Sequence, residues 1–269
     1  MKANRCVFKF HLLGALLVLA AANAARAGQA CEAQTPTADA VARGMALAQT
    51  TAQRLDASSA QVVVIARAGQ DLSKWGLRWS HLGFAYRADE ASPWRIVHKL
   101  NQCNSDQAAV YRQGLGEFFL DQPHRYEAAY IELSAATQAR LLPLLQDNDR
   151  VARWHEPRYN MLAYPWHLKY QQSNQWAIET LAGALDSDAG NRAQAQTWLQ
   201  LRGYTPTTLR IGALTRLGAN VSRANISFDD HPNSKRYADR IETVTVDSVF
   251  AWLLRSGLST HGPVVVRAD

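Results

Sequence analysis

Two segments constrain the fold most: WSHLGFAYR (79–87) and WRIVHKLN (94–101), short runs of aromatic, aliphatic and β-branched residues with one histidine inside each. Runs of this kind read as strands. The turn-like ADEASP stretch ending at Pro93 makes them neighbours. A third segment, YQQSNQWAIETL (170–181), reads as a helix start, with Trp176, Ile178 and Leu181 as apolar positions and Ser173 near the first turn. The chain therefore carries His81, His98 and Ser173 on three separate elements, and these are side chains suited to nucleophilic chemistry.

The N-terminus has the pattern of a secretory signal over 1–27: Lys2, Arg5 and Lys9, then an uncharged apolar run, then Ala25-Arg26-Ala27 as a small-x-small cleavage site. The mature chain is expected to start near Gly28 and to be periplasmic or secreted. No later stretch approaches 18 uncharged apolar residues, so no stable membrane insertion is expected after cleavage. The full chain has 29 basic and 23 acidic residues, and Lys2, Arg5, Lys9 and Arg26 leave with the signal, so the mature surplus falls to two. Without a dense basic block, nucleic acid is excluded as a partner. Cys6 leaves too, and Cys31 with Cys103 forms an even pair in an oxidising compartment. A disulfide between them is expected, worth about 4 kcal/mol on the chain-entropy account.

The rest of 28–269 reads as a single α+β domain with an elaborated C-terminal part. Periodicity predicts a helix over 37–55, and QVVVIA (61–66) is a buried strand by composition. A helix is expected over 106–119, weakened by its glycines, then a strand over 126–133 and a leucine-faced helix capped by Ser134 and interrupted by Pro143. A late helix carries Val249, Phe250, Trp252, Leu253 and Leu254, and VVV from Val264 suits a final strand.

The runs GQDLSKWGLRWSHLGFAYR, WRIVHKLNQC, GLGEFFLD, YQQSNQWAIETL and FDDHP together resemble an uncharacterised bacterial family, domain of unknown function 2145, across nearly the whole mature chain. More distantly, a strand histidine, a second strand with a polar residue and then a helix-borne nucleophile resembles circularly permuted NlpC and papain-like hydrolases. That resemblance implies a papain-like mix of helices and antiparallel sheet. It also aligns Trp176 and Ala177 with the apolar positions that follow the nucleophile, which places Ser173 where those enzymes carry cysteine.

On the residues alone, His81 is the candidate general base, since a neutral imidazole near its ordinary pKa of about 6.5 best removes a hydroxyl proton at neutral pH. His98, or else Asn101, would orient it from the adjacent strand. The helix N-terminus would supply N–H groups for an oxyanion. Ser173 also fits a purely structural role as an N-cap, and each histidine fits a packed position. Asn174, Asn101, Asp230 and His231 are the expected substrate contacts. Three consecutive residues Asp229, Asp230 and His231 cannot all face one ion, and a hydrogen-bonded turn before Pro232 explains them as well. No motif implies a metal or a cofactor. Aromatic residues such as Trp79, Trp94, Tyr159 and Trp166 suit either a core or a surface for sugar or peptide.

Two functions fit: an exported hydrolase or acyl transferase acting on an amide or ester such as a cell-wall peptide, or a catalytically inactive binding or scaffold module on the same fold. The expected partners are an envelope peptide, glycan or protein.

Overall fold

The computed structural model describes residues 35–268 apart from 104, 122 and 223. The expected signal peptide and Cys31 lie outside the described residues, and so does the expected Cys31–Cys103 bridge; Cys103 itself is exposed after the third strand.

Helix α1 (Ala38–Asp56) opens on Thr37, whose hydroxyl accepts from the Ala40 N–H at 3.1 Å, satisfying one of the donors every helix start leaves over. Strand β1 (Val62–Arg67) follows, buried at every position. That burial is why its sequence runs VVVIA without alternation. Strands β2 (His81–Tyr86), β3 (Arg95–Asn101) and β4 (Ala108–Gly114) then meander antiparallel from it. Helix α2 (Leu115–Phe119), strand β5 (Glu127–Glu132), helix α3 (Ala135–Leu145) and helix α4 (Asn148–Ala152) continue the chain. Ser134 caps α3 as expected, and Pro143 sits inside its last turn without ending it.

Helices α5 (Ser173–Leu185) and α6 (Arg192–Leu201) come next, followed by strand β6 (Thr207–Arg210), helix α7 (Ala213–Ser222) and helix α8 (Asn233–Arg236). Strand β7 (Arg240–Thr243) pairs with β6 in a small second sheet. Helix α9 (Val246–Arg255) and strand β8 (Val264–Arg267) complete the order. The main sheet has six strands in the order β4-β3-β2-β1-β5-β8, all antiparallel. The class is α+β.

The helix expected over 106–119 is instead strand β4 followed by the single turn of α2. Seven residues of β4 pair with β3 in register, from Asn101↔Ala108 to Arg95↔Gly114. Cross-strand pairing outweighs helical spacing here, and Gly114 ends the strand where the chain turns.

Alternation along the strands sends side chains to two cores. Leu82, Phe84, Tyr86 and Val97 join Val62, Val64 and Trp176 on the side of α3 and α5. Ala85 and Ile96 join Val63, Ile65, Leu47 and Phe118 on the side of α1 and α2. Burying both faces lets one sheet support two apolar layers.

Candidate functional site

The two strand histidines meet on the α2 side of the sheet. His81 shares its face with Ala85, and His98 shares its face with Ile96, because side chains repeat every second residue. His81 Nε2 lies 2.8 Å from His98 Nδ1, and His98 Nε2 lies 2.7 Å from Gln113 Oε1. The amide oxygen can only accept, so His98 Nε2 carries the proton, Nδ1 accepts from His81 Nε2, and the His81 Nδ1 lone pair points outward from the chain of three. Phe118 closes the site at ring distances of 6.0 and 5.2 Å. Arg67, whose guanidinium stacks 4.8 Å over Phe118, bonds the Phe118 carbonyl and the Asp121 carboxylate.

Burial, reinforced by the Arg67 charge, pushes the His98 imidazole down to about 3 against a weaker upward pull from Gln113. Burial pushes His81 well below its ordinary value too, with Arg67 and His98 adding to the effect. Both rings are therefore held neutral at pH 7.

Gly83 makes room for this pair. A Cβ there would stand 2.8 Å from His98 Cβ and 2.9 Å from the Val97 carbonyl oxygen. Gly83→Ala is expected to cost about 1–3 kcal/mol through overpacking and to push His98 off its partner. In an NMR titration of the imidazole resonances, His98 should then move up from about 3. A titration curve unchanged by the substitution would contradict this account.

Ser173 is on the other side of the sheet. It is the first residue of α5, while the capping side chain is that of Gln172, which accepts from the Asn174 N–H at 3.2 Å. The expected capping role thus belongs to its neighbour. Ser173 is buried near Tyr159, whose phenol is pushed up by burial against a weaker downward pull from the Ser173 hydroxyl. Tyr159 in turn lies over Lys99, with Nζ 6.0 Å from the ring centre, and Lys99 projects to the α5 side. Among the described residues no hydrogen bond joins Ser173 to either histidine. The expected Ser173–His81–His98 alignment is not assembled: the sheet brings together the two histidines and separates them from the serine.

The expected substrate contacts are spent internally. Asn174 Oδ1 accepts from Leu82 N at 3.0 Å and its Nδ2 donates to the Val244 carbonyl at 3.2 Å, so it fastens α5 to β2. Asn101 donates to the carbonyls of Ser105 and Gln107 and accepts from Asn225, which shapes the turn after β3. His231 is bonded at both nitrogens, to Asp230 at 2.9 Å and to the Glu242 carbonyl at 2.9 Å, and Asp230 also takes the Tyr164 N–H. Both are buried, and a buried polar group with every bond filled offers nothing to a ligand. The turn reading of FDDHP is what the geometry displays.

One buried polar cluster was not anticipated. Glu179, fully buried on α5, accepts from Gln171, from Gln175 at 3.1 Å, from Gln196 at 2.7 Å and from Arg192 Nε at 2.8 Å. Lys99, equally buried, donates to Gln171 at 2.8 Å and to the Glu156 carbonyl at 2.6 Å. Burial and the Arg192 charge push its ammonium well below the ordinary value, while Glu179 and Glu156 oppose them. The signal present in the sequence is Gln175 and Glu179, one helical turn apart among the apolar Trp176, Ile178 and Leu181 of α5.

Two cavities are described, and His81, His98 and Ser173 line neither. One of about 1070 Å³ runs beside Trp94, Arg87, Asp56 and Arg95. The other, of about 670 Å³, lies between α1 and the end of β8. Among the described residues no group of three or more His, Cys, Asp or Glu side chains is placed to hold a metal ion. No described helix is long and apolar enough to cross a membrane.

Residues 54–253 match a family described as an uncharacterised protein conserved in bacteria, domain of unknown function 2145. The chain belongs to this family. The match spans β1 through most of α9, so both histidines, Ser173 and the Glu179 cluster fall within the family's own extent. No curated protein and no solved structure matches the chain.

Proposed function

We propose that the chain is a non-catalytic binding or scaffold module of the bacterial envelope, built on a papain-like, circularly permuted NlpC-type framework whose catalytic parts are no longer aligned. The observation that carries this reading is the pairing of His81 with His98 on the α2 side while Ser173 opens the helix packed on the α5 side. A general base must reach the proton it removes within hydrogen-bonding distance. Support for the framework is the order of elements: a histidine strand, a second polar strand, and then the helix that begins at Ser173. Support for export is the N-terminal charge and cleavage pattern. The ligand is an envelope peptide, glycan or protein segment, held in the groove of about 1070 Å³ that Asp56, Gln61, Glu90 and Arg95 line. Carboxylate and guanidinium groups around one concave surface suit such polar ligands.

The test uses the wild type, Ser173→Ala and Ser173→Cys. Fluorophosphonate labelling of the wild type is expected to match that of Ser173→Ala, and Ser173→Cys is expected to gain no hydrolysis of peptide amides or esters. Turnover or labelling that depends on both position 173 and His81 would instead assign the hydrolase or acyl transferase activity.

A further inference from the structure

We infer that the concave surface between α1, the approach to β5 and the end of β8 binds a phosphate-bearing small molecule. Arg43, His124, Arg125, Tyr126, Glu127 and Arg267 line the cavity of about 670 Å³ there. That size falls in the range of about 300–1,000 Å³ usual for small-molecule sites.

Charge is what distinguishes it. Glu127, mostly buried, takes Arg78 on one carboxylate oxygen at 3.0 and 2.8 Å and Arg267 on the other at 3.1 Å, with Arg125 3.8 Å away. Arg43 lies with its guanidinium carbon 4.2 Å over the Tyr126 ring, and its acidic neighbour Asp39 is 3.9 Å off and exposed. With Asp71, whose carboxylate feels the Arg125 charge, four guanidinium groups thus face three carboxylates, which leaves one positive charge over. At the rim Asp71 is held by the Ser73 N–H and stands 3.8 Å from His124.

Long cationic side chains repel one another and lose rotamer freedom when they converge, so convergence on one carboxylate is unfavourable without a further counter-ion. A phosphate monoester carries close to two negative charges at neutral pH and presents three acceptor oxygens. Guanidinium forks match that geometry in pairs. The site shares no lining residue with the Trp94 groove and Ser173 does not line it, so it stands whether or not the reading above survives.

The test is calorimetric titration of the full chain with inorganic phosphate, glycerol phosphate and acetate, together with sedimentation on vesicles of phosphatidylcholine with and without phosphatidic acid. Saturable binding of phosphate or its ester at one site per chain is expected, at least tenfold tighter than acetate and at least tenfold weaker in Arg125→Gln and in Arg267→Gln. Both side chains are substantially exposed, so these variants should keep the fold, which circular dichroism checks. Glu127→Gln, which removes the competing carboxylate, should tighten binding. Binding to phosphatidic acid vesicles without binding of the soluble esters would assign the phosphate to a lipid headgroup. The inference is overturned if none of the phosphate probes binds, if acetate binds as well as phosphate, or if the two arginine variants bind like the wild type.

Discussion

Stability is expected to fall steeply as the pH drops from 7 towards 4, before most carboxylates titrate. Above the ordinary imidazole value of 6.5, His98 is neutral in both the folded and the unfolded chain, and its contribution is at its full value. Between 6.5 and about 3 the unfolded chain takes up a proton that the folded chain refuses. The unfolded state then binds more protons, so stability rises with pH and is lost as pH falls through that window. At roughly 1.4 kcal/mol per unit of separation, the fully buried His98 alone removes on the order of 4 kcal/mol by pH 3. His81 acts in the same direction, and so does His155, pushed down to about 4 chiefly by burial. Glu127 and Glu156 sit below the ordinary carboxylate value and add their loss only at lower pH. Urea unfolding at pH 7, 6 and 5 separates these contributions, because the histidines dominate that interval. His98→Asn should flatten the slope there. A wild type equally stable at pH 7 and pH 5 would contradict the buried neutral pair.

Glu179→Gln is expected to cost about 3–5 kcal/mol, the usual loss when one partner of a buried ion pair is removed. The carboxylate receives Arg192 through two nitrogens, at 2.8 and 3.3 Å, and three glutamine amides besides. An amide in its place turns an N–H₂ group towards donors, leaving donors without acceptors in a region closed to water. The shift in urea midpoint measures the cost. Glu179→Leu combined with Arg192→Leu should cost less than the two single changes added, since the pair is removed together. Strict additivity of the two would show that the cluster does not act as a unit.

Much of the sheet was legible because its strands have short apolar runs with clear borders. The VVVIA run stands out as a strand buried on both faces, and β2 and β3 stand out by their aromatic and β-branched residues. The segment AAVYRQG was not legible as a strand, since its apolar positions fit a helical turn as well as a ladder and only pairing with β3 decides between them. The short pair TTLR and RIET gave no period long enough to read.

At the candidate site the proximity of His81 and His98 followed from neighbouring strands, but their direction did not. It was nonetheless encoded: Leu82, Phe84 and Tyr86 are the bulky apolar set of β2, and they take the side that packs α5, which turns His81 to the opposite side. That Gln175 and Glu179 would be buried on α5 was hidden for a different reason. Burial of polar side chains depends on partners such as Lys99 and Arg192, which lie far away in sequence.

The pairing of β5 with β8 sets an order of assembly. Strands β1 to β4 follow one another as antiparallel neighbours and close over short loops, whereas Glu127 meets Arg267 across 140 residues of chain. Closing the longer loop costs more entropy and comes later. Until residues 264–267 arrive, β5 carries an open hydrogen-bonding edge able to capture a strand from another chain. The chain's time of greatest exposure to misassembly is therefore the interval between completion of its meander and arrival of its final strand.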